Sequence, residues 1–188
     1  MIKYNYFEAL ERISALACDA VSLACGSDLG KTRAMSEIRK ACDGQVCELE
    51  DTLFSDFLPP LERDNIAACA HSLSRVVDKA SDLLGNILYM PSVAKANEEG
   101  RVCVRLAESL RDSVQMLRHI RKPDEMPDIQ GFRNMLSEGR AAHCSMLSKL
   151  HSGSLPRSCA QGIIMTGRLR SEISRSFDEL VEIMLNNI

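Results

Sequence analysis

The chain has 188 residues, with 23 basic and 26 acidic side chains and a formal net charge of -3. A general nucleic-acid-binding protein normally carries a basic excess, so this charge balance argues against that class. Aromatic residues make up 4% of the chain and Trp is absent, while Ala, Leu, Ser, Met, Glu and Arg are abundant, which is typical of helical bundles. We expect an all-α protein that needs no disulfide or metal to fold, since a chain of this length buries roughly 70% of its unfolded surface.

Glycine and proline breaks divide the sequence into six predicted helices. Their ends are defined to within about 2–4 residues. In chain order they cover about 4–26, 31–57, 62–89, 92–121, 128–151 and 157–187.

Apolar residues recur at steps of three and four in the third, fourth and sixth predicted helices. Such stripes pack as near-antiparallel helices with coiled-coil-like seams. We expect an elongated antiparallel bundle, because a helix of about 27 residues is about 40 Å long. The bundle is expected to be one domain over 1–188, with two three-helix halves, about 1–90 and 91–188, as the alternative. The predicted seam residues are Ile66, Cys69, Leu73, Val76, Ala80, Leu83, Ile87, Cys103, Leu106, Leu110, Ser113, Leu117, Ile120, Ile173, Phe177, Leu180 and Met184.

The eight cysteines are scattered and include no Cys-x-x-Cys pair, so their spacing indicates neither a disulfide framework nor a zinc site. Four of them lie among apolar residues at helical spacing and are expected to be buried, reduced thiols. These four are Cys18, Cys42, Cys69 and Cys103. The four histidines do not cluster and are expected at the surface or boundary of the bundle.

The N-terminus lacks the apolar segment of a signal peptide, and no stretch approaches the roughly 20 apolar residues that span a bilayer, so we expect a cytoplasmic protein.

A double-proline junction separates the second and third predicted helices. Its sequence is Phe57-Leu58-Pro59-Pro60-Leu61-Glu62-Arg63-Asp64-Asn65-Ile66. This junction resembles the pattern Phe-Ile-x-Pro-x-Asp-Arg-x-Asp-Ile of the PhoU family, in the branch that accompanies Pit-type phosphate transporters. The matching residues are Phe57, Pro60, Arg63 and Ile66, and the family's two Asp positions hold Glu62 and Asn65.

The resemblance implies a PhoU-like helical bundle and a non-catalytic regulator or accessory protein of inorganic phosphate transport. Such a protein would act by protein–protein contact with the cytoplasmic face of a membrane phosphate transporter, without entering the membrane and without binding nucleic acid. A homo-oligomer is also open. The alternative is a helical interaction or adaptor module with no phosphate role. A di-iron bundle enzyme ranks last, because its Glu-x-x-His motif does not occur in the chain.

PhoU-like proteins resemble one another in Glu/Asp-x-x-x-Asp pairs that hold metal clusters on the bundle surface. Residues i and i+4 lie on one helix face, where two carboxylates repel each other unless a cation lies between them. Most of these positions have lost their carboxylate in this chain. The family pairs fall on Arg39 and Asp43, on the run 73–78 in which only Asp78 is retained, on Ser137 and Ala141, and on Ile164 and Arg168.

The metal prediction that remains is a divalent or iron-type ion on an acidic helix face at Asp43, Asp78 and Asp82, with oxygen ligands that suit such ions. The alternative is a charged face that is simply solvated. No other cofactor is expected. Arginines at the family's acidic positions would repel a metal and are suited instead to receive an anion.

Overall fold

The computed structural model describes residues 4–26, 32–56, 59–89, 98–119 and 126–187, with the backbone alone for 87–89. Six α-helices account for most of these residues, and no strand occurs among them. The helices are α1 (Tyr6–Cys25), α2 (Thr32–Ser55), α3 (Arg63–Tyr89), α4 (Glu98–Gln115), α5 (Ile129–His151) and α6 (Ala160–Asn186). A 3₁₀ turn at Met116–His119 follows α4, and another at Arg157–Cys159 precedes α6. The prediction of an all-α bundle of about six helices is confirmed.

Local sequence explains where the helices begin and end. Asn5 caps α1, because its side-chain oxygen accepts a hydrogen bond from the backbone N–H of Glu8 at 3.2 Å. Asp128 caps α5 in the same way, through the N–H of Gly131 at 2.8 Å. The helix α3 begins at Arg63, directly after the double proline. The expected start of the fourth helix, at 92–97, lies outside the described residues, as do its end at 120–121 and residues 57–58 of the junction.

Side-chain contacts show that three pairs of neighbouring helices run antiparallel. Between α3 and α6, Arg75 contacts Glu172, whereas Ser72, one turn earlier on α3, contacts Ser176, one turn later on α6. The same reversal relates two further pairs of neighbouring helices. For α2 and α3 it is seen in the pairs Arg39–Asp78 and Glu50–His71, and for α4 and α5 in the pairs Arg105–Glu138 and Glu99–His143.

One main hydrophobic core collects buried residues from all six helices. The helix α1 packs against α2, α3 and α4, and α6 packs against α3, α4 and α5. Every predicted seam residue with a described side chain is buried. Ile87 and Ile120 fall outside that description. The four cysteines predicted to be buried are also buried. The division of 1–188 into one domain or two halves stays a prediction.

No helix in the described part of the chain combines the length and the apolar character that crossing a membrane requires.

Candidate functional site on helix α6

The structure does not bring the three predicted metal ligands together. Asp43 is exposed on α2, while the Asp78 carboxylate lies 2.8 Å from the guanidinium of Arg39. Asp82 lies 3.6 Å from the amine of Lys79. Within the described ranges, no group of three or more His, Cys, Asp or Glu side chains could hold a metal ion. The two aspartates of α3 thus have cationic partners already, and the metal site stays a prediction.

A buried carboxylate at the start of α4 links three helices. The Glu99 side chain is 1% exposed. Its Oε1 accepts a hydrogen bond from Arg170 Nε on α6 at 2.8 Å, and its Oε2 accepts one from His143 Nδ1 on α5 at 2.8 Å. Because each oxygen has its own donor, two charge-assisted hydrogen bonds offset the loss of hydration. The contacts fix the orientation of the Arg170 and His143 side chains, which are 11% and 21% exposed.

Two glycines make room for these side chains. A Cβ atom on Gly139 of α5 would lie 2.8 Å from Arg170 Cδ and 3.1 Å from Val102 Cγ1. A Cβ atom on Gly167 of α6 would lie 2.8 Å from His143 Cε1. The two distances of 2.8 Å are shorter than carbon atoms tolerate without displacement. The small residues therefore let Arg170 and His143 reach Glu99 between closely packed helices.

Sequence reasoning missed Glu99, although the sequence contains a signal for it. Glu99 precedes the buried Cys103 by one helical turn, so it lies in phase with the apolar stripe of α4. His143 lies in phase with the α5 stripe that includes Leu136 and Met146. A charged or polar residue at an apolar position of a stripe indicates a buried polar partner elsewhere.

A second ion-pair network joins α3 to α6. Arg75 donates from Nε to Glu172 at 2.8 Å and from Nη2 to Glu179 at 3.0 Å. The Glu172 side chain is 8% exposed, and its other oxygen accepts from Arg175 Nη1 at 3.3 Å. The hydrogen bond to Glu172 is the largest of the effects that raise the pKa of Arg75. Arg75 occupies a position where the family resemblance predicts Asp. The cation at this position pairs with two carboxylates of α6.

A groove of about 510 Å³ lies between these two networks, where α6 faces α3 and α5. We call it the α6 groove. Ile164 and Arg168, the two positions that the resemblance assigns to the acidic pair of the sixth helix, both line it. Its polar lining residues are Lys79, His143, Arg168, Arg170, Ser171, Glu172 and Arg175. The cations of two separate networks thus meet on one surface.

A larger groove of about 800 Å³ lies between α4 and α5. Its charges are mixed, and Arg105 pairs there with Glu138 at 2.6 Å. Because opposite charges already neutralise each other on this surface, it offers less attraction to a charged ligand than the α6 groove does.

The architecture is that of an elongated, antiparallel six-helix bundle with ion-pair networks between its helices. Comparison with protein-family models finds no match, and neither does comparison with curated proteins. Among solved structures, the chain is similar to a PhoU-like protein from Shewanella oneidensis MR-1, with a TM-score of 0.74 and 17% identity over 97% of this chain and 100% of that chain. It is also similar to a PhoU-like phosphate regulatory protein from the same organism, with a TM-score of 0.71 and 15% identity over 97% of this chain and 100% of that chain. The chain has the PhoU-like fold, as the junction predicted.

Proposed function

We propose that this protein regulates inorganic phosphate transport by contact with a membrane phosphate permease from the cytoplasmic side, and that it does so without catalysis. The observation that carries the proposal is the likeness over 97% of the chain to a PhoU-like phosphate regulatory protein. The junction between α2 and α3 supports the same reading, since Pro60, Arg63 and Ile66 match the family pattern.

The end of α2 beside this junction offers a surface for such a contact. Phe54 is 89% exposed, more than any other large apolar side chain in the described part of the chain. It lines a cleft of about 150 Å³ together with Arg63 and Asp64. Arg63 also donates a hydrogen bond to the backbone carbonyl of Asp56, which ties the start of α3 to the end of α2. An aromatic side chain next to an arginine is a frequent anchor in protein interfaces.

The proposal is tested by affinity capture from native membranes of the source cells, grown with scarce and with ample phosphate. We expect the wild-type protein to recover a phosphate permease in an amount that changes with phosphate supply. The Phe54→Ala variant should recover several-fold less, because removing an interface anchor costs about 1–3 kcal/mol of binding. Leu147→Ala is the matched control, since Leu147 is 40% exposed on α5, a helix that packs against α4 and α6, and this variant should leave the recovery unchanged.

Capture of only soluble proteins under both growth conditions would contradict the proposal. That result would favour the alternative function, a helical adaptor with no phosphate role. Equal recovery of the permease by both variants would support the regulatory role. It would also show that the contact lies outside the cleft beside Phe54.

A further inference from the structure

Two cations of the α6 groove, Arg170 and Arg175, pair with buried carboxylates. Arg170 is fixed by Glu99, whose side chain is 1% exposed. Arg175 is held by Glu172, whose side chain is 8% exposed and also bonds Arg75. The Arg170 side chain is 11% exposed and bonded to Glu99 at 2.8 Å, so it loses little additional freedom when a ligand binds. Such preorganisation favours binding.

These anchors leave hydrogen-bond donors free at the groove surface. Arg170 uses Nε for Glu99, and Arg175 uses Nη1 for Glu172. His143 uses Nδ1 for Glu99, and its Nε2 can donate only when the imidazole is protonated. Arg168 contacts only the Met165 sulfur, at 3.8 Å, among the contacts described. The remaining guanidinium N–H groups and the imidazole Nε2 make no hydrogen bond to the described protein residues.

The charge of the groove favours an anion. Four permanent cations line it, from Lys79, Arg168, Arg170 and Arg175, and a single carboxylate, Glu172, lines it with them. Two more carboxylates pair with these cations from outside the groove lining, Glu99 with Arg170 and Asp82 with Lys79. The cations still outnumber the carboxylates when both are included. A metal ion would be repelled here, whereas a compact anion with several acceptor oxygens could bind more than one guanidinium.

We propose that the α6 groove is a binding site for a tetrahedral oxyanion, either inorganic phosphate or the phosphoryl group of a larger molecule. Arg168 is the principal ligand, because it is exposed and has no carboxylate partner in the described structure. Arg170 and Arg175 supply further donors around it. The proposal rests on the groove itself and does not require the contact with a permease.

The test is a calorimetric titration of the purified full-length protein with sodium phosphate, with ionic strength held constant by sodium chloride. A parallel titration uses O-phosphoserine, so that free phosphate and a phosphomonoester are distinguished. We expect saturable binding of at least one of them. The Arg168→Ala variant should weaken that binding about tenfold, which is the loss expected for one charged hydrogen bond. Lys79→Ala should weaken it by a smaller factor, since Lys79 is partly paired with Asp82.

The matched control is Arg140→Ala, which removes the same charge from an exposed position of α5 outside the groove. It should leave the affinity unchanged. Absence of saturable binding to both ligands would overturn the proposal, and so would an equal loss in Arg168→Ala and Arg140→Ala, because that would show a general response to net charge. The titration contains no membrane protein, so its failure is distinct from failure of the permease contact.

Discussion

At the scale of single residues, Glu99 is the most deeply buried carboxylate among the described ion pairs. Glu99→Gln keeps the shape of the side chain but removes its charge, and the new amide N–H₂ faces one of the two donors, Arg170 or His143. We expect the free energy of unfolding to fall by about 2–4 kcal/mol, because a mostly buried guanidinium then loses its counter-charge. Equilibrium unfolding in urea, with the midpoint and slope compared, measures the change.

The same interface between α4 and α5 supplies a matched control for this substitution. Glu138 pairs with Arg105 at 2.6 Å, but the two side chains are 57% and 47% exposed. Glu138→Gln should therefore lower the free energy of unfolding by less than about 1 kcal/mol, since solvent screens exposed ion pairs. If the two glutamine variants are equally stable, the buried network is not a major source of stability.

At the scale of helices, two glycines determine how closely α5 and α6 can approach. In an ordinary helix interior, replacing Gly by Ala stabilises a protein by about 0.5–1 kcal/mol. At Gly139 and Gly167 we expect the opposite sign, with a loss of about 1–3 kcal/mol, because the added Cβ would displace Arg170 or His143. Thermal unfolding of Gly139→Ala and Gly167→Ala tests this expectation.

Gly44 on α2 is the internal reference for that experiment, because a Cβ atom placed there meets no other atom within 4 Å. Gly44→Ala should raise the melting temperature. Should Gly139→Ala and Gly167→Ala raise it as well, the close approach of α5 and α6 would not depend on the absence of a side chain.

The helices were predictable because their signals are local. The caps Asn5 and Asp128 and the double proline before Arg63 each act within a few residues of the helix end that they define. The stripes that form the core were predictable for the same reason, since helical periodicity alone places the residues of one stripe on one face.

The ion-pair networks were not predictable in this way, because their members come from distant parts of the chain. Arg170 lies 71 positions after Glu99, and His143 lies 44 positions after it. Periodicity can show that Glu99 is buried, but only the register between helices shows which cation meets it. The absence of the family's carboxylates at Arg75 and Arg168 was readable from the sequence, whereas the cationic groove that these substitutions help to build was not.

At the scale of the whole molecule, the thiols in the core make stability depend on pH. Cys69 is buried in the core on α3. Burial is the main effect that raises the pKa of its thiol to about 12, with the charge of Glu179 adding to it, whereas the ordinary value is 9.0. As the pH rises, the thiol of the unfolded chain loses its proton first. The contribution of the neutral Cys69 thiol to the free energy of unfolding is therefore fully present below pH 9. It is lost progressively between pH 9 and pH 12.

This linkage predicts a loss of about 1 kcal/mol from Cys69 alone between pH 8 and pH 10. Cys69→Ala should be less stable than wild type at pH 8, because it leaves a small cavity, but its stability should fall less steeply on going to pH 10. Urea unfolding at the two pH values measures both effects. Cys42, whose pKa burial raises to about 11, contributes equally in both proteins and cancels in the comparison.

Cys47→Ala is the control, since Cys47 is exposed and the variant should keep the wild-type pH dependence. An unchanged pH dependence in Cys69→Ala would mean that the thiol ionises alike in the folded and unfolded chains, and so that the core around α3 admits water.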